Sequence, residues 1–310
     1  MCLRHPDDCP LRRGLGSLAP GSWSQRGWMN RWTLESPLPS GFSRVSGQGG
    51  RTWFFKSGFP RDIPVERWDS WLAGQGGQSL SAAGGRAPVL LVSVERIGEV
   101  VVRRYLHGGL LARWTRDLFC GPGRPLGELV ASEHVRARGI ASPEILALYL
   151  LRAGGSFHRG CVITRKIPQS RNLVEWLRLG GRDPRAWKPM LREVARVVAS
   201  LHAAGCVHRD LNLSNLLESP SGIWILDLDR ASLRPTVRLS DRGRNLLRLY
   251  RSLGKESSRR EPLDEFQRLL FLRHYARGSR ILFRALAVWT RRRRMIVRLR
   301  SFSARSRISP

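Results

Sequence analysis

Asp210 and Asn215 stand five residues apart in His208-Arg209-Asp210-Leu211-Asn212-Leu213-Ser214-Asn215, and Asp227 closes the later run Trp224-Ile225-Leu226-Asp227-Leu228-Asp229. The residues between, Leu216 to Gly222, read as a short strand turning at Pro220 to Gly222. An apolar strand, Ile223 to Leu226, follows and ends in Asp227. Two strands joined in this way bring their flanks together, so Asp210, Asn215 and Asp227 converge on one small volume. One carboxylate to orient and deprotonate a hydroxyl, with a carboxamide and a second carboxylate to hold magnesium on phosphates, is what phosphoryl transfer from a nucleotide requires. Asp210 is thus the candidate catalytic base, and Asn215 and Asp227 are the candidate ligands for Mg2+, a hard ion that takes oxygen donors.

Those residues need elements to hold them. Pro189 to Ala204 reads as a strong helix: Leu191, Val194, Val198 and Leu201 share one face, and Gly205 stops it just before the loop. His202 on that helix reads as a packed histidine rather than a ligand. Upstream, Gly84-Gly85 enters a strand at Val89, and a second strand, Glu99 to Tyr105, follows across a turn near Ile97-Gly98. Glycines there let backbone amides approach phosphates closely, as in a nucleotide-covering loop, although a plain hairpin linker fits them equally well. Alternation puts Val101, Arg103 and Tyr105 on one strand face. Residues 125 to 138 read as a helix with Leu126, Leu129, Val130 and Val135 as its apolar stripe, carrying Glu128 and Glu133 and ending at Gly139. Further strands are expected at Arg51 to Lys56, Ile145 to Leu151 and Gly160 to Ile167. Helical segments are expected at Arg67 to Leu72, Asn172 to Leu179, Asp241 to Leu253 and Glu261 to Tyr275. Gln75 to Gly85 reads as a flexible Gly/Ser stretch.

The pair of motifs resembles a known family. His208-Arg209-Asp210 with Asn215 looks like the catalytic loop of the protein-kinase superfamily, and Asp227-Leu228-Asp229 stands where protein kinases carry Asp-Phe-Gly. Asn212, and Asp229 in place of the glycine, draw the resemblance toward the bacterial lipopolysaccharide core kinases, in particular the 3-deoxy-manno-octulosonic acid (Kdo) kinase group. Val102-Arg103-Arg104-Tyr105-Leu106-His107-Gly108-Gly109, Arg124-Pro125-Leu126-Gly127-Glu128-Leu129 and Leu246-Leu247-Arg248-Leu249-Tyr250-Arg251-Ser252-Leu253 are similar to that group as well. The resemblance implies an α+β, two-lobed protein-kinase-like fold, with a β-rich lobe over 41–167 and a mainly helical lobe over 168–310, the chain crossing at Pro168. It implies ATP as co-substrate and a Kdo or heptose hydroxyl of a lipid A–core glycolipid as acceptor. Gly84 and Gly85 then cover the nucleotide, and Arg103 takes the place of the usual strand lysine, with Lys56 ranked below it because Gly49 and Gly50 lie too close to allow two strands. By the same resemblance Glu128 pairs the strand cation, with Glu133 second, while Asp229 and His208 support the site. Two rivals are a small-molecule or protein kinase of the same fold, and a kinase-fold pseudoenzyme that binds nucleic acid.

Composition narrows the partners. A net charge of +30, nearly all from arginine, calls for a polyanion: nucleic acid, anionic lipid headgroups or an anionic substrate. No aromatic-interleaved RNA-binding motif is present, so no nucleic-acid partner is expected. Residues 1–40, rich in Gly, Pro, Ser, Arg and Trp without period, read as a poorly ordered extension, with Met29 an alternative start. Cys2, Cys9, Cys120, Cys161 and Cys206 form no Cys-x-x-Cys pair and read as free thiols in a reducing compartment. Neither a secretory signal nor an apolar run of membrane-spanning length is found. The expected place is the cytoplasmic face of the inner membrane. There Ile281 to Trp289, followed by Arg291 to Arg294, either lies among the headgroups or packs on the helical lobe.

Overall fold

The computed structural model describes residues 32–80, 89–106, 117–179, 184–256 and 263–305. Gly84, Gly85 and most of the N-terminal extension lie outside them. The chain divides into two units, one formed by Met1–Ser79, Val89–Glu133 and Ile145–Arg165, the other by Leu80–Pro88, His134–Glu144 and Lys166–Pro310.

The first unit is built on an antiparallel sheet. Its strands are β1 (Phe42–Ser46), β2 (Arg51–Lys56), β3 (Gln78–Leu80), β4 (Val89–Val94), β5 (Gly98–Arg104), β6 (Phe119–Cys120), β7 (Ile145–Gly154) and β8 (Phe157–Arg165). They lie in the order β1-β2-β7-β8-β5-β4-β3, with β6 also paired to β8. Both faces of the sheet are covered, which is why its middle strands read as unbroken apolar runs. Trp53, Phe55, Val100, Val102 and Tyr149 point to one face, where helix α1 (Val65–Ala73) buries Trp68 and Trp71. Phe54, Leu148, Leu150 and Val162 point to the other, against Leu126 and Leu129 of α2 (Gly123–Arg136) and against Tyr105 and Phe119. Two expectations fail here. Gln78–Leu80 is a strand within the stretch read as flexible. A short 3-10 turn, Gln48–Gly50, joins β1 to β2 with Ser46 opposite Thr52, so Gly49 and Gly50, at φ of 66° and 73°, do connect two strands ahead of Lys56. Only glycine enters that region without strain, and the hairpin needs it at both positions.

The second unit is mainly helical. It contains β9 (Arg171–Asn172), α3 (Leu173–Arg178), α4 (Pro184–Ala203), β10 (Cys206–Val207), β11 (Leu216–Ser219), β12 (Gly222–Ile225), β13 (Ser232–Leu233), α5 (Leu239–Glu256), α6 (Glu265–Tyr275) and α7 (Arg280–Arg305). Asn172 caps α3 through bonds of 3.0 Å from the amides of Val174 and Glu175, in a box closed by the Glu175 side chain. Helix α4 begins at Pro184, not at Pro189: Pro184 is itself suited to a first turn, and Pro189 is tolerated inside at the loss of one backbone bond. Leu191, Val194, Val198 and Leu201 are buried. Helices α5 and α7 approach so closely at Gly243 that a Cβ there would lie 2.3 Å from the Trp289 ring. In the α7 stretch read two ways, Leu286 is buried, whereas Ile281 and Val288 are 84% and 52% exposed. Among the described residues no helix is long and apolar enough to cross a membrane, and Cys120, Cys161 and Cys206 are free thiols.

Candidate active site

The hairpin read from the sequence is present in the second unit, with Leu216 opposite Ile225 and Ser219 opposite Gly222. It does what the spacing demands. The Leu226 amide donates to the Asn215 carbonyl at 2.8 Å, which continues the ladder and sets Asn215 next to the residue before Asp227. His208 makes the second tie. Its Nδ1 accepts from the Asp210 amide at 3.0 Å, which fixes the proton on Nε2, and Nε2 donates to the Leu226 carbonyl at 2.9 Å. One neutral imidazole, 1% exposed, thereby links the backbone of the candidate base to the strand that delivers Asp227.

Asn215 is wholly buried, and its Nδ2 donates to the Asp210 carbonyl at 2.7 Å. Only a nitrogen can make that bond, so Oδ1 is fixed as the remaining acceptor, and it is buried without a partner among the described residues. An acceptor left in this way costs about 1–3 kcal/mol, a deficit that a bound cation removes. Oδ1 of Asp227 is also shut off from solvent. Asp227 adopts φ of 58°, a left-handed conformation that costs on the order of 1–3 kcal/mol in a residue with a side chain and tends to mark functional positions. One carboxylate and one carboxamide suit Mg2+, which keeps several waters and takes further oxygens from substrate phosphates. Asp229, two residues on, is partly buried.

Two residues around Asp210 were not assigned a role from the sequence. Asn212 caps the 3-10 turn Leu213–Asn215 with its Oδ1 and donates from Nδ2 to Asp210 Oδ2 at 3.0 Å. Its position, an Asn just before a turn, is a local signal that was available. Arg248 on α5 donates from one nitrogen, Nη1, to the Arg209 carbonyl at 2.6 Å and to Asp210 Oδ1 at 3.0 Å. Both charged groups of that pair are about half exposed, so it contributes at most about 1 kcal/mol to stability. Three and four residues to either side, the same helix face holds the loop's backbone. Asn245 accepts from the His208 amide at 3.2 Å and donates to its carbonyl at 2.8 Å, and Ser252 accepts from the Leu213 amide at 3.1 Å. Asn245 is backed in turn by His202, whose Nε2 lies 3.0 Å from Asn245 Oδ1 and whose Nδ1 lies 2.7 Å from the Tyr275 hydroxyl. Arg242 donates to that hydroxyl at 3.0 Å. Burial pushes the His202 pKa down from 6.5 to about 4, so the ring is neutral at neutral pH.

The first unit holds the candidate phosphate-binding cations. Arg103, on β5, is paired with Glu128 of α2, whose other oxygen accepts from the Tyr105 hydroxyl at 2.7 Å. Glu128 is 5% exposed, and a carboxylate so buried requires such partners. Lys56 is paired with the second acid, Glu133, at 3.3 Å. Both acids left open by the sequence therefore hold a cation along one helix, Glu128 on Arg103 and Glu133 on Lys56, and the ground for ranking Lys56 below Arg103 has gone with the Gly49-Gly50 hairpin.

One unit is sheet-based and carries cation–acid pairs; the other is mainly helical and carries the His-Arg-Asp loop with the candidate base and candidate metal ligands, which are the parts expected of an α+β phosphotransferase of the protein-kinase-like class. The comparison of sequences gives the family: the model of the lipopolysaccharide kinase (Kdo/WaaP) family matches residues 71–275, and the chain belongs to that family. The 3-deoxy-D-manno-octulosonic acid kinase of Xanthomonas axonopodis pv. citri is 34% identical over 188 residues, covering 59% of this chain and 72% of the relative. The enzyme of the same name from Stenotrophomonas maltophilia is 32% identical over 186 residues, covering 58% and 72%. A solved structure of WaaP in complex with acyl carrier protein aligns over 74% of this chain and 95% of that one, at 23% identity and a TM-score of 0.49. The chain is a lipopolysaccharide core kinase, a phosphotransferase acting on a sugar hydroxyl.

Proposed function

We propose that this kinase transfers the γ-phosphoryl group of ATP to a hydroxyl of a Kdo residue in the lipopolysaccharide inner core, with heptose as the less favoured acceptor. The Asp210 carboxylate takes the acceptor's hydroxyl proton as that oxygen bonds to the γ-phosphorus. The bond from that phosphorus to the β,γ-bridging oxygen breaks, and ADP leaves with the electron pair. Asp210 then returns its proton to solvent. Asn215 and Asp227 would hold Mg2+, which supplies positive charge to the phosphate oxygens. His208 keeps the loop and the Asp227 strand in register, and Asp229 supports the metal ligand. Residues 168–310 carry this machinery, while 41–167 serve the nucleotide, with Arg103 or Lys56 neutralising phosphate, Glu128 and Glu133 orienting them, and Gly84 and Gly85 over the phosphates. The observation that carries the reading is the buried Oδ1 of Asn215, which has no partner among the described residues.

The acceptor is lipid-anchored, so the enzyme works at the cytoplasmic face of the inner membrane without spanning it. In support, exposed Ile281 and Val288 of α7, and Phe266 and Leu269 of α6, accompany the exposed arginines 291 to 293. Such a surface suits anionic headgroups. The test is direct: purified protein, ATP, Mg2+ and a Kdo–lipid A acceptor, with mass spectrometry of the glycolipid. A gain of one phosphate is expected. Binding of RNA without any ATP turnover would replace this reading with that of a nucleic-acid-binding pseudoenzyme.

A further inference from the structure

We propose that Arg248 is the acceptor-specificity residue: it binds the carboxylate of a sugar acid in two-point fashion while Asp210 takes the proton from that sugar's hydroxyl. The inference rests on the proposed activity and adds a determinant to it. The two hydrogen bonds of the Arg248 side chain leave from Nη1, to the Arg209 carbonyl and to Asp210 Oδ1. They fix the plane of the guanidinium relative to the base. The opposite edge, Nε and Nη2, has no partner among the described residues, and the side chain is 49% exposed. A guanidinium edge of two parallel N–H groups matches the two oxygens of a carboxylate.

The edge is held in place. Asn245, one turn before Arg248, is bonded at both ends to the His208 backbone, and Ser252, one turn after it, takes the Leu213 amide. The helix face and the catalytic loop are therefore tied on both sides of Arg248. A group so fixed loses little freedom when it binds an anion. The chemistry it selects is a hydroxyl acid, with one anionic group on the guanidinium edge and one hydroxyl at Asp210, both within a single sugar. The matched relatives are named as kinases of 3-deoxy-D-manno-octulosonic acid, which is a sugar of this kind.

The experiment compares a Kdo–lipid A acceptor with its methyl ester, which keeps every hydroxyl and removes the negative charge. Wild type is expected to prefer the acid roughly ten- to a hundredfold in kcat/KM, the range of a charge-assisted hydrogen-bonded contact. Arg248→Met should bring that preference close to one, chiefly by raising KM for the acid. Arg248→Lys, which keeps the charge without the fork, should restore part of it. The Lys variant also provides the reading if the Met variant does not fold. If either variant lowers kcat equally on both acceptors and leaves the preference intact, Arg248 only orients Asp210 and the inference is overturned. If wild type phosphorylates neither acceptor, the proposed activity fails first and this inference falls with it.

Discussion

Acid should loosen this protein through His202, by an amount that the structure sets. The ring is 1% exposed and sits between Asn245 Oδ1 and the Tyr275 hydroxyl, with Arg242 behind that hydroxyl. Desolvation is the main cause of its lowered pKa; the hydrogen bond to Asn245 raises it in part, and the charge of Arg242 lowers it again. The folded value is about 4 against 6.5 in an unperturbed chain. Above pH 6.5 neither state binds the proton, and stability is unaffected. Between 6.5 and about 4 the unfolded chain binds it first, so stability falls as pH falls, and the loss is complete once the folded ring is protonated too. The separation of the two values corresponds to on the order of 3 kcal/mol in all, and to about 2 kcal/mol at pH 5. For a unit of this size that is roughly 4–8 °C in Tm at pH 5. Other groups titrate in the same window, so the measurement is a difference. His202→Gln keeps an N–H and an acceptor but cannot titrate. Thermal melts of both proteins from pH 7.5 to 4.5 should converge as pH falls, the variant losing less. Parallel Tm–pH curves would refute the account of His202 as a neutral, buried link.

The other expectations concern catalysis and the membrane. Asp210→Asn should fold and bind nucleotide yet lose a hundredfold to ten-thousandfold in acceptor-dependent turnover, the usual cost of removing a general base; near-wild-type turnover would remove Asp210 from the mechanism. Asp227→Ala should weaken magnesium-dependent nucleotide binding, read as a magnesium titration of the nucleotide-induced Tm shift. Arg103→Ala and Lys56→Ala, compared by ATP affinity, should separate the two cations, and the one whose loss raises the Kd is the phosphate partner. Wild type should co-sediment with mixed anionic vesicles at low salt and release at high salt, and changing arginines 291–294 to Ser should weaken that binding without altering ATP affinity.

The loop that carries the candidate site was legible because its parts are close in sequence. The turn at Pro220 to Gly222 joins two strands whose outer flanks carry Asn215 and Asp227, and a hairpin converts spacing directly into position. The β strands over both core faces were legible for the same reason: Trp53 and Phe55 alternate with Phe54, and the alternation is the structure. The Gly49-Gly50 turn was misjudged because the two glycines were held to lie too close to Lys56 for two strands. Both sit at positive φ and allow a connection tighter than other residues permit, so a second strand does precede the one expected at Arg51 to Lys56. The helix read from Pro189 begins five residues earlier, at Pro184, which suits a first turn equally well and comes first.

What the sequence hid was the support behind the loop. Asn245, Arg248 and Ser252 lie 37 to 39 residues beyond the groups they bind, on a helix whose visible pattern is that of its buried leucines. Polar residues at helical spacing on such a segment look like a solvated face. They become a template only when the helix is laid along the loop, and nothing local fixes that placement. It depends on close approach elsewhere on the same helix, such as Gly243 beneath the Trp289 ring, where a single added carbon would collide. Asp210, in a loop held by backbone ties at His208 and Leu213, needs no strong ion pair to stay in position. The half-exposed Arg248–Asp210 contact thus adds little to stability, which leaves the guanidinium available for the recognition role proposed above.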